Sequence, residues 1–438
     1  MGKRKTVYMA LSADIIHSGH INIINKGAEL GDLIVGVITD EAICKYKRAP
    51  ILSFEVRKEL VENIKGVTKV VNQTTLDYTK NLKKFKPDYV VHGDDWKHGI
   101  QSIVREQVIE TLNEWGGALI EFPYSKKIDY DKLNTDCWQI TNTPDNRRAM
   151  LKKLLKLKPY IRAIDASNGL TGLIAENVKI NDSKNKEVKE FDAMWISSLC
   201  DSTFKGKPDI ELVELTSRVN TINEVIEVTT KPIILDGDTG GKEEHFVYNV
   251  QTLERLGVSA IIIEDKTGLK KNSLFGTEVK QQLEDPDVFG QKIRAGKQAQ
   301  VTRDFMIFAR LESLIAGYGV EDALMRAKKY IEYGADGIMI HSKEKTGEDV
   351  FEFMKAFRKH SKTIPVIMVP TTYNQFTEDE LHKHGANIII HANHLLRAAY
   401  PAMVKAAESI LENKRSKEAD SELCMPIKEV LELIPGGK

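Results

Sequence analysis

Apolar, β-branched runs recur along this chain at intervals that leave room for one helix between successive runs. The first two, at residues 6–11 and 32–40, flank the helix-like stretch INIINKGAEL (21–30). Strand, helix, strand in that order predicts a βαβ opening. A third run, YVVHGDDW (89–96), ends abruptly in acids. From Tyr160 onward the pattern changes to short strands separated by helices: IRAID, FDAMWIS, KPIILD, AIIIED, FMIFARLE, GADGIMIHS, TIPVIMVPT and ANIIIHANH. Amphipathic runs such as QTLERLGV lie between them. This alternation predicts an α/β chain, with a Rossmann-like front domain followed by a (β/α)8 barrel of TIM type. Pro144 and Asp145 mark the start of a helix, NRRAMLKKLLKL, that links the two. NDSKNKEVKE (181–190) is polar and reads as a surface loop insertion. From about Met403 the chain is helical and charged.

Length fits this division, since 438 residues exceed one ordinary domain. The expected boundaries are 1–125 for the front domain, 126–158 for a linker with its helix, and 159–438 for the barrel with C-terminal helices. With 63 basic and 63 acidic residues the formal charge is zero. No global field attracts nucleic acid, and any phosphate affinity must be local. The four cysteines (44, 137, 200 and 424) are scattered, without metal spacing, which fits free thiols in a reducing cytoplasm. No signal core and no membrane-length apolar run is visible, so a soluble cytoplasmic protein is expected.

The candidate chemistry of the barrel lies where strands end. IILDGDTGG and AIIIEDKTGLKKNSLFG (both within residues 233–276) each pass from apolar residues to acids and then to a Gly-containing loop. Asp236, Asp238 and Glu264 would converge on one pocket, with Lys270 and Asn272 on a loop above it. Such a carboxylate set suits Mg²⁺, which takes oxygen ligands and keeps several waters. The alternative is that these acids only cap helices or bind turn amides. DGDTGG together with EDKxxxKxNS resembles phosphoenolpyruvate mutase, of the isocitrate lyase superfamily, from about Lys158 to the C-terminus. On that resemblance Trp195, Ser197, Ser198 and Leu199 match the W-x-S-G-L turn that holds substrate oxygens, with Ser198 replacing the usual glycine. Asp209 fits the additional active-site aspartate. Arg310 would bind the phosphoryl group and His341 would donate to a phosphoryl oxygen, Arg310 having a salt bridge to Glu312 as its alternative role. Asn393 and Arg397 match superfamily positions with a structural or interface role. The lyases of the superfamily carry K-x-C-G-H where this chain has KTGLKKNS, and phosphonopyruvate hydrolase has threonine at the position of Asn272.

At the front, His17 and His20 in HSGH would share one side of a first helical turn, and Gly19 lets the backbone approach a ligand. A helix N-terminus there adds free amides and partial positive charge for phosphate. The segment resembles the cytidylyltransferase family, as do KYKRAPILSFEVRK (45–58) and the YVVHGDDW strand. The resemblance implies that His17, His20 and Lys47 serve phosphates, that Asp14 binds the nucleotide, that Asp94 lies near the nucleotide or its metal, and that Arg57 lies near the phosphoryl acceptor. That family's late R-T-x-G-I-S-T-T segment has no clean match. The nearest candidate is QITNTPDNRR (139–148), with Thr141, Thr143 and Arg147.

These readings combine into a bifunctional enzyme of phosphonate biosynthesis. The barrel would convert phosphoenolpyruvate to phosphonopyruvate with Mg²⁺. The front domain would transfer CMP from CTP to a phosphonate such as 2-hydroxyethyl- or 2-aminoethylphosphonate. Two alternatives stand beside it: a front domain that only binds nucleotide in a regulatory role, and a barrel that hydrolyses phosphonopyruvate. Resemblance also implies a homodimer or homotetramer, since terminal helices swap between subunits in this superfamily. No nucleic-acid or membrane partner is expected.

Overall fold

The computed structural model describes residues 4–97, 100–123, 142–182 and 187–434. Its front part is a parallel sheet of β1 (Thr6–Leu11), β2 (Asp32–Ile38), β3 (Val67–Gln73), β4 (Tyr89–Gly93) and β5 (Ala118–Phe122). The order is β3-β2-β1-β4-β5, with all neighbours parallel. The strand order reverses between β1 and β4, and crevices at the carboxyl ends of such strands are where open α/β sheets bind ligands. Separate apolar clusters cover the two faces, one around Val7, Met9, Leu33 and Val35, the other around Tyr8, Val90, Trp96 and Val104.

The second part is a closed barrel of eight parallel strands. In chain order they are β6 (Ile161–Asp165), β9 (Ala193–Ile196), β10 (Ile233–Asp236), β11 (Ala260–Glu264), β12 (Met306–Leu311), β13 (Gly337–Ile340), β14 (Val366–Met368) and β15 (Ile388–His391). All lie within the runs singled out from the sequence. Inward residues such as Ala163, Ile234, Ile262, Phe308 and Ile390 fill the interior. Their outward neighbours pack against the helix ring through Phe246, Phe289, Phe353 and Phe357.

Two segments differ from their sequence readings. Residues 179–190 contain an antiparallel hairpin, β7 (Lys179–Asp182) and β8 (Glu187–Glu190), where a loop was expected. The Pro144–Leu157 helix does more than link: it closes the floor of the barrel. Leu151 and Leu154 join the interior cluster, and the Arg147 carbonyl accepts from Ser259 Oγ (2.7 Å), just before β11. No helix among the described residues is long and apolar enough to cross a membrane.

Candidate active sites

Strand ends put the barrel's polar groups in one place. A cavity of about 70 Å³ is lined by Trp195, Ser197, Ser198, Leu199, Asp209, Asp236, Glu264, Lys270, Asn272, Arg310 and His341, together with Ser273, Thr371 and Asn393. Asp238 stands one step outside, in the larger neighbouring cleft. Its backbone is left-handed (φ 53°), a conformation that aspartate tolerates better than most residues. The turn lets Asp236 Oδ1 accept from the Asp238 amide at 3.3 Å. Ser198 donates to Asp236 Oδ2 from both its amide (3.2 Å) and its hydroxyl (2.7 Å).

Lys270 is buried at the centre of the acids. Its Nζ lies 2.6 Å from Asp238, 3.1 Å from Asp209 and 2.6 Å from Ser198 Oγ. Burial works against its charge, but Asp236, Asp238, Glu264 and Asp209 together hold the ammonium protonated. Asp236 shows the reciprocal effect: burial would raise its pKa, yet Lys270, Arg310 and Arg218 bring it below the usual carboxylate range. Asn272 donates Nδ2 to Asp209 Oδ2 (2.6 Å), which ties the loop after β11 to the loop carrying Asp209.

Glu264 behaves differently. Burial raises its pKa to about 7, although Arg310 and Lys266 oppose the shift. Both its carboxylate oxygens are buried without a hydrogen-bond partner, with Arg310 at 3.5 Å and Lys266 at 3.7 Å as ion-pair neighbours. Unsatisfied buried oxygens of this kind fit a cation site. No group of three or more acidic, histidine or cysteine side chains among the described residues is clustered tightly enough to hold an ion alone. Asp236 is held by Ser198, and Asp238 by Lys270 and Arg218, so these acids do not by themselves assemble a metal site.

Two residues with a clear place in this site were not singled out for it from the sequence. Glu312, fully buried, accepts from Arg310 Nε (2.5 Å), His341 Nε2 (2.7 Å) and Ser273 Oγ (2.7 Å) and pairs with Lys266 (3.0 Å). The salt bridge weighed as an alternative role for Arg310 therefore exists, and it aims the guanidinium into the cavity. Arg218 holds Asp238 at 2.8 Å from an outer helix. Neither carries a local motif; Glu312 only shows a strand-end acid two residues past Arg310. Arg397 is exposed, whereas Asn393 reaches the cavity.

The front cavity, about 210 Å³, opens at the β1/β4 switch point. Ser12, His17, Gly19, His20, Lys47, His92 and Trp96 line it. His17 caps the Ser18–Leu30 helix, its Nδ1 accepting from the Gly19 amide (3.2 Å), and its ring stacks on His20 at 3.9 Å. Lys47 Nζ donates to Ser12 Oγ (2.8 Å). His92, not singled out from the sequence, stacks flat on Trp96 at 3.8 Å.

Other front-domain candidates lie elsewhere. Arg57, expected beside the acceptor, is fully buried. Its guanidinium donates to the carbonyls of Ser12, Ile38 and Leu52 and pairs with Asp40, so it braces the ends of β1 and β2. Asp14 Oδ1 accepts the amides of Ile51 (2.7 Å) and Leu52 (3.0 Å). Asp94 begins a short 3-10 turn after β4 and does not line the cavity. Thr143 and Arg147 belong to the barrel floor, not to a triphosphate grip, because Arg147 is buried there; Thr141 lies outside the described residues.

Burial, with His17, Lys47 and His92 adding to it, lowers the His20 pKa to about 4. The unfolded imidazole takes up a proton as pH falls below about 6.5, whereas the folded one resists until about 4. Acid should therefore destabilise the front domain across that interval, by up to about 3 kcal/mol. Thermal unfolding between these pH values measures it, and His20→Asn should flatten the dependence.

A closed parallel barrel with its charged groups at the carboxyl ends of the strands defines an enzyme of the (β/α)8 class. Residues 151–411 match the phosphoenolpyruvate phosphomutase family and residues 12–135 the cytidylyltransferase-like family. The chain belongs to the phosphoenolpyruvate phosphomutase family and carries a cytidylyltransferase-like domain at its front. It is 34% identical over 288 residues to a phosphoenolpyruvate phosphomutase of Tetrahymena pyriformis, covering 66% of this chain and 91% of that one. The crystal structure of phosphoenolpyruvate phosphomutase from Streptomyces platensis subsp. rosaceus superposes with a TM-score of 0.59 at 32% identity, covering 65% of this chain and 94% of that one. A phosphonopyruvate hydrolase complexed with oxalate and Mg²⁺ superposes with a TM-score of 0.56 at 30% identity, covering 67% and 94%.

Proposed function

We propose that the barrel, residues 159–438, interconverts phosphoenolpyruvate and phosphonopyruvate. The front domain, residues 1–125, would transfer CMP from CTP to a phosphonate such as 2-hydroxyethyl- or 2-aminoethylphosphonate. The observation carrying the first reading is the small cavity in which the Lys270 ammonium, the Arg310 guanidinium and the carboxylates of Asp209, Asp236 and Glu264 face one another. In the reaction the bond from phosphorus to the enol oxygen breaks and a bond from phosphorus to C3 forms. The site must hold an enolate and a phosphoryl group together and keep water out. Arg310, His341 and Asn272 are placed to neutralise phosphoryl charge, and Lys270 on its loop to cover the substrate. The Ser197–Leu199 turn would hold the carboxylate. Asp236, Asp238 and Glu264 fit Mg²⁺, which when bound supplies positive charge to enolate and carboxylate oxygens.

Phosphonopyruvate hydrolysis is the second reading, because a structure of that name superposes almost as well. ³¹P NMR of the protein with phosphonopyruvate and Mg²⁺ separates them. Conversion to phosphoenolpyruvate is expected; release of free phosphate instead would establish the hydrolase. Asn272→Thr should raise the phosphate fraction and slow the mutase by about tenfold, since one hydrogen bond at Asp209 is altered. Addition of CTP and 2-hydroxyethylphosphonate to the same tube should produce a phosphonate–phosphate signal pair. CTP binding with no such pair for several acceptors would make the front domain regulatory.

A homo-oligomer, dimer or tetramer, is part of the same proposal. The His394–Asn413 helix buries none of its residues and leaves Tyr400, Met403, Ile410 and Leu411 exposed. That apolar surface is what a second subunit would cover.

A further inference from the structure

The loop that brings Lys47 to the front cavity is held both by its own domain and by the barrel side. It runs from Cys44 to Leu52, between the Asp40–Ile43 and Phe54–Glu62 helices. Cys44 and Ala49 are buried in the same cluster as Leu151 and Leu154 of the helix that closes the barrel floor. Lys153 of that helix donates Nζ to the carbonyls of Pro50 and Ile51, the latter at 3.2 Å. From the other side, the Val188 amide in β8 donates to the Lys45 carbonyl at 2.8 Å. The hairpin that interrupts the barrel sequence thus reaches back to the loop two residues before Lys47. Within the front domain, Asp14 takes the Ile51 and Leu52 amides, and Lys47 reaches Ser12.

Backbone carbonyls of a loop that are satisfied by a neighbouring domain move with that domain. A phosphate-binding ammonium displaced by even an ångström loses much of its contribution. We infer that the barrel side, through Lys153 and the β7–β8 hairpin, positions the Lys47 loop and so sets the front site's affinity for a nucleoside triphosphate. The inference rests on the proposed nucleotidyl-transfer reading of the front cavity. Lys153 and Val188 are positioning residues, since neither lines that cavity. Burial lowers the pKa of the half-buried Lys153, with Asp40 and Asp14 of the front domain opposing the shift.

The test uses the full chain in two variants, Lys153→Met and Val188→Pro. The second removes the amide that Val188 donates to the Lys45 carbonyl. CTP with Mg²⁺ is titrated calorimetrically, and phosphonopyruvate turnover by the barrel is followed alongside. The expected result is a CTP Kd weakened by about tenfold in Lys153→Met, and by less in Val188→Pro, with phosphonopyruvate turnover unchanged. Lys153→Arg, which keeps a donor there, should restore most of the affinity. A CTP Kd unchanged in both variants, with wild-type protein binding CTP, would overturn the inference alone. Wild-type protein that binds no CTP would overturn the front-domain reading and this inference with it.

Discussion

Asp209→Ala should lower phosphonopyruvate turnover by about 10³-fold, or about 4 kcal/mol of transition-state stabilisation, while leaving the protein folded. The carboxylate lies on the cavity wall with one oxygen on Asn272 Nδ2 (2.6 Å) and the other 3.1 Å from Lys270. Its removal does not strand Lys270, which keeps its 2.6 Å contact with Asp238 and the nearby charge of Asp236 and Glu264. A stability change within about 1 kcal/mol is therefore expected. Loss of activity has two physical routes that a second variant separates. Asp209→Asn keeps the volume and can still hydrogen-bond Asn272, but it offers no anionic oxygen to phosphorus. A nucleophilic Asp209 predicts that both variants are equally inactive. A purely positioning Asp209 predicts that the asparagine variant recovers to within about tenfold of wild type. Single-turnover ³¹P kinetics on the two proteins decide between them.

Glu312→Leu should damage both fold and activity. One fully buried carboxylate serves Arg310, Lys266, His341 and Ser273, and replacing it by an apolar side chain leaves two buried cations without their partner. Breaking a buried pair in this way typically costs about 3–5 kcal/mol. The same loss frees the Arg310 guanidinium and the His341 ring to rotate, so turnover should fall by about 10²-fold or more. Glu312→Gln is the milder companion: it retains an acceptor but not the charge. Burial alone would raise the Glu312 pKa, but Arg310, His341 and Lys266 hold it well below the usual range. A carboxylate with a depressed folded pKa contributes stability above its unfolded value, near 4.5, and loses that contribution as pH falls through the folded value. Urea unfolding at neutral pH and near pH 4 should therefore show a smaller acid-induced loss in Glu312→Gln than in wild type.

The strands of the barrel were legible because each is buried on both sides, which forces near-continuous runs such as AIIIE and MIFAR. β3 was not, because VTKVVNQ lies at a sheet edge and buries only Gln73, with Thr68, Lys69 and Asn72 exposed. β5, at the other edge, is only partly covered and short. The hairpin of residues 179–190 hid behind charged composition, since its two strands pair mainly with each other. Among site residues, those immediately after an apolar run could be placed from sequence, because a parallel barrel gathers all its strand ends on one rim. Glu312 and Arg218 could not be assigned their roles. Their importance comes from contacts made 39 residues away, at Ser273, and 20 residues away, at Asp238. Arg57 illustrates the converse: a basic residue in a family-like motif whose donors are directed at the carbonyls of Ser12, Ile38 and Leu52 and at the Asp40 carboxylate.

The helix that closes the barrel floor also fixes where the front domain attaches. Lys153 holds the front loop from beneath the strands, whereas Asp236, Glu264 and Arg310 stand at their opposite ends. A barrel of such strands is roughly 15–20 Å deep and packed solid with side chains, not hollow. Among the described residues, side chains such as Ala163, Ile234, Ile262 and Phe308 fill that interior and leave no passage between the two cavities through it. On the proposed two-reaction reading, a product leaving the upper mouth would pass around the outside of the barrel, open to any other catalyst that modifies it, to reach the lower site. Joining the two in one polypeptide would then secure equal numbers of each and shared production, instead of a private route for an intermediate.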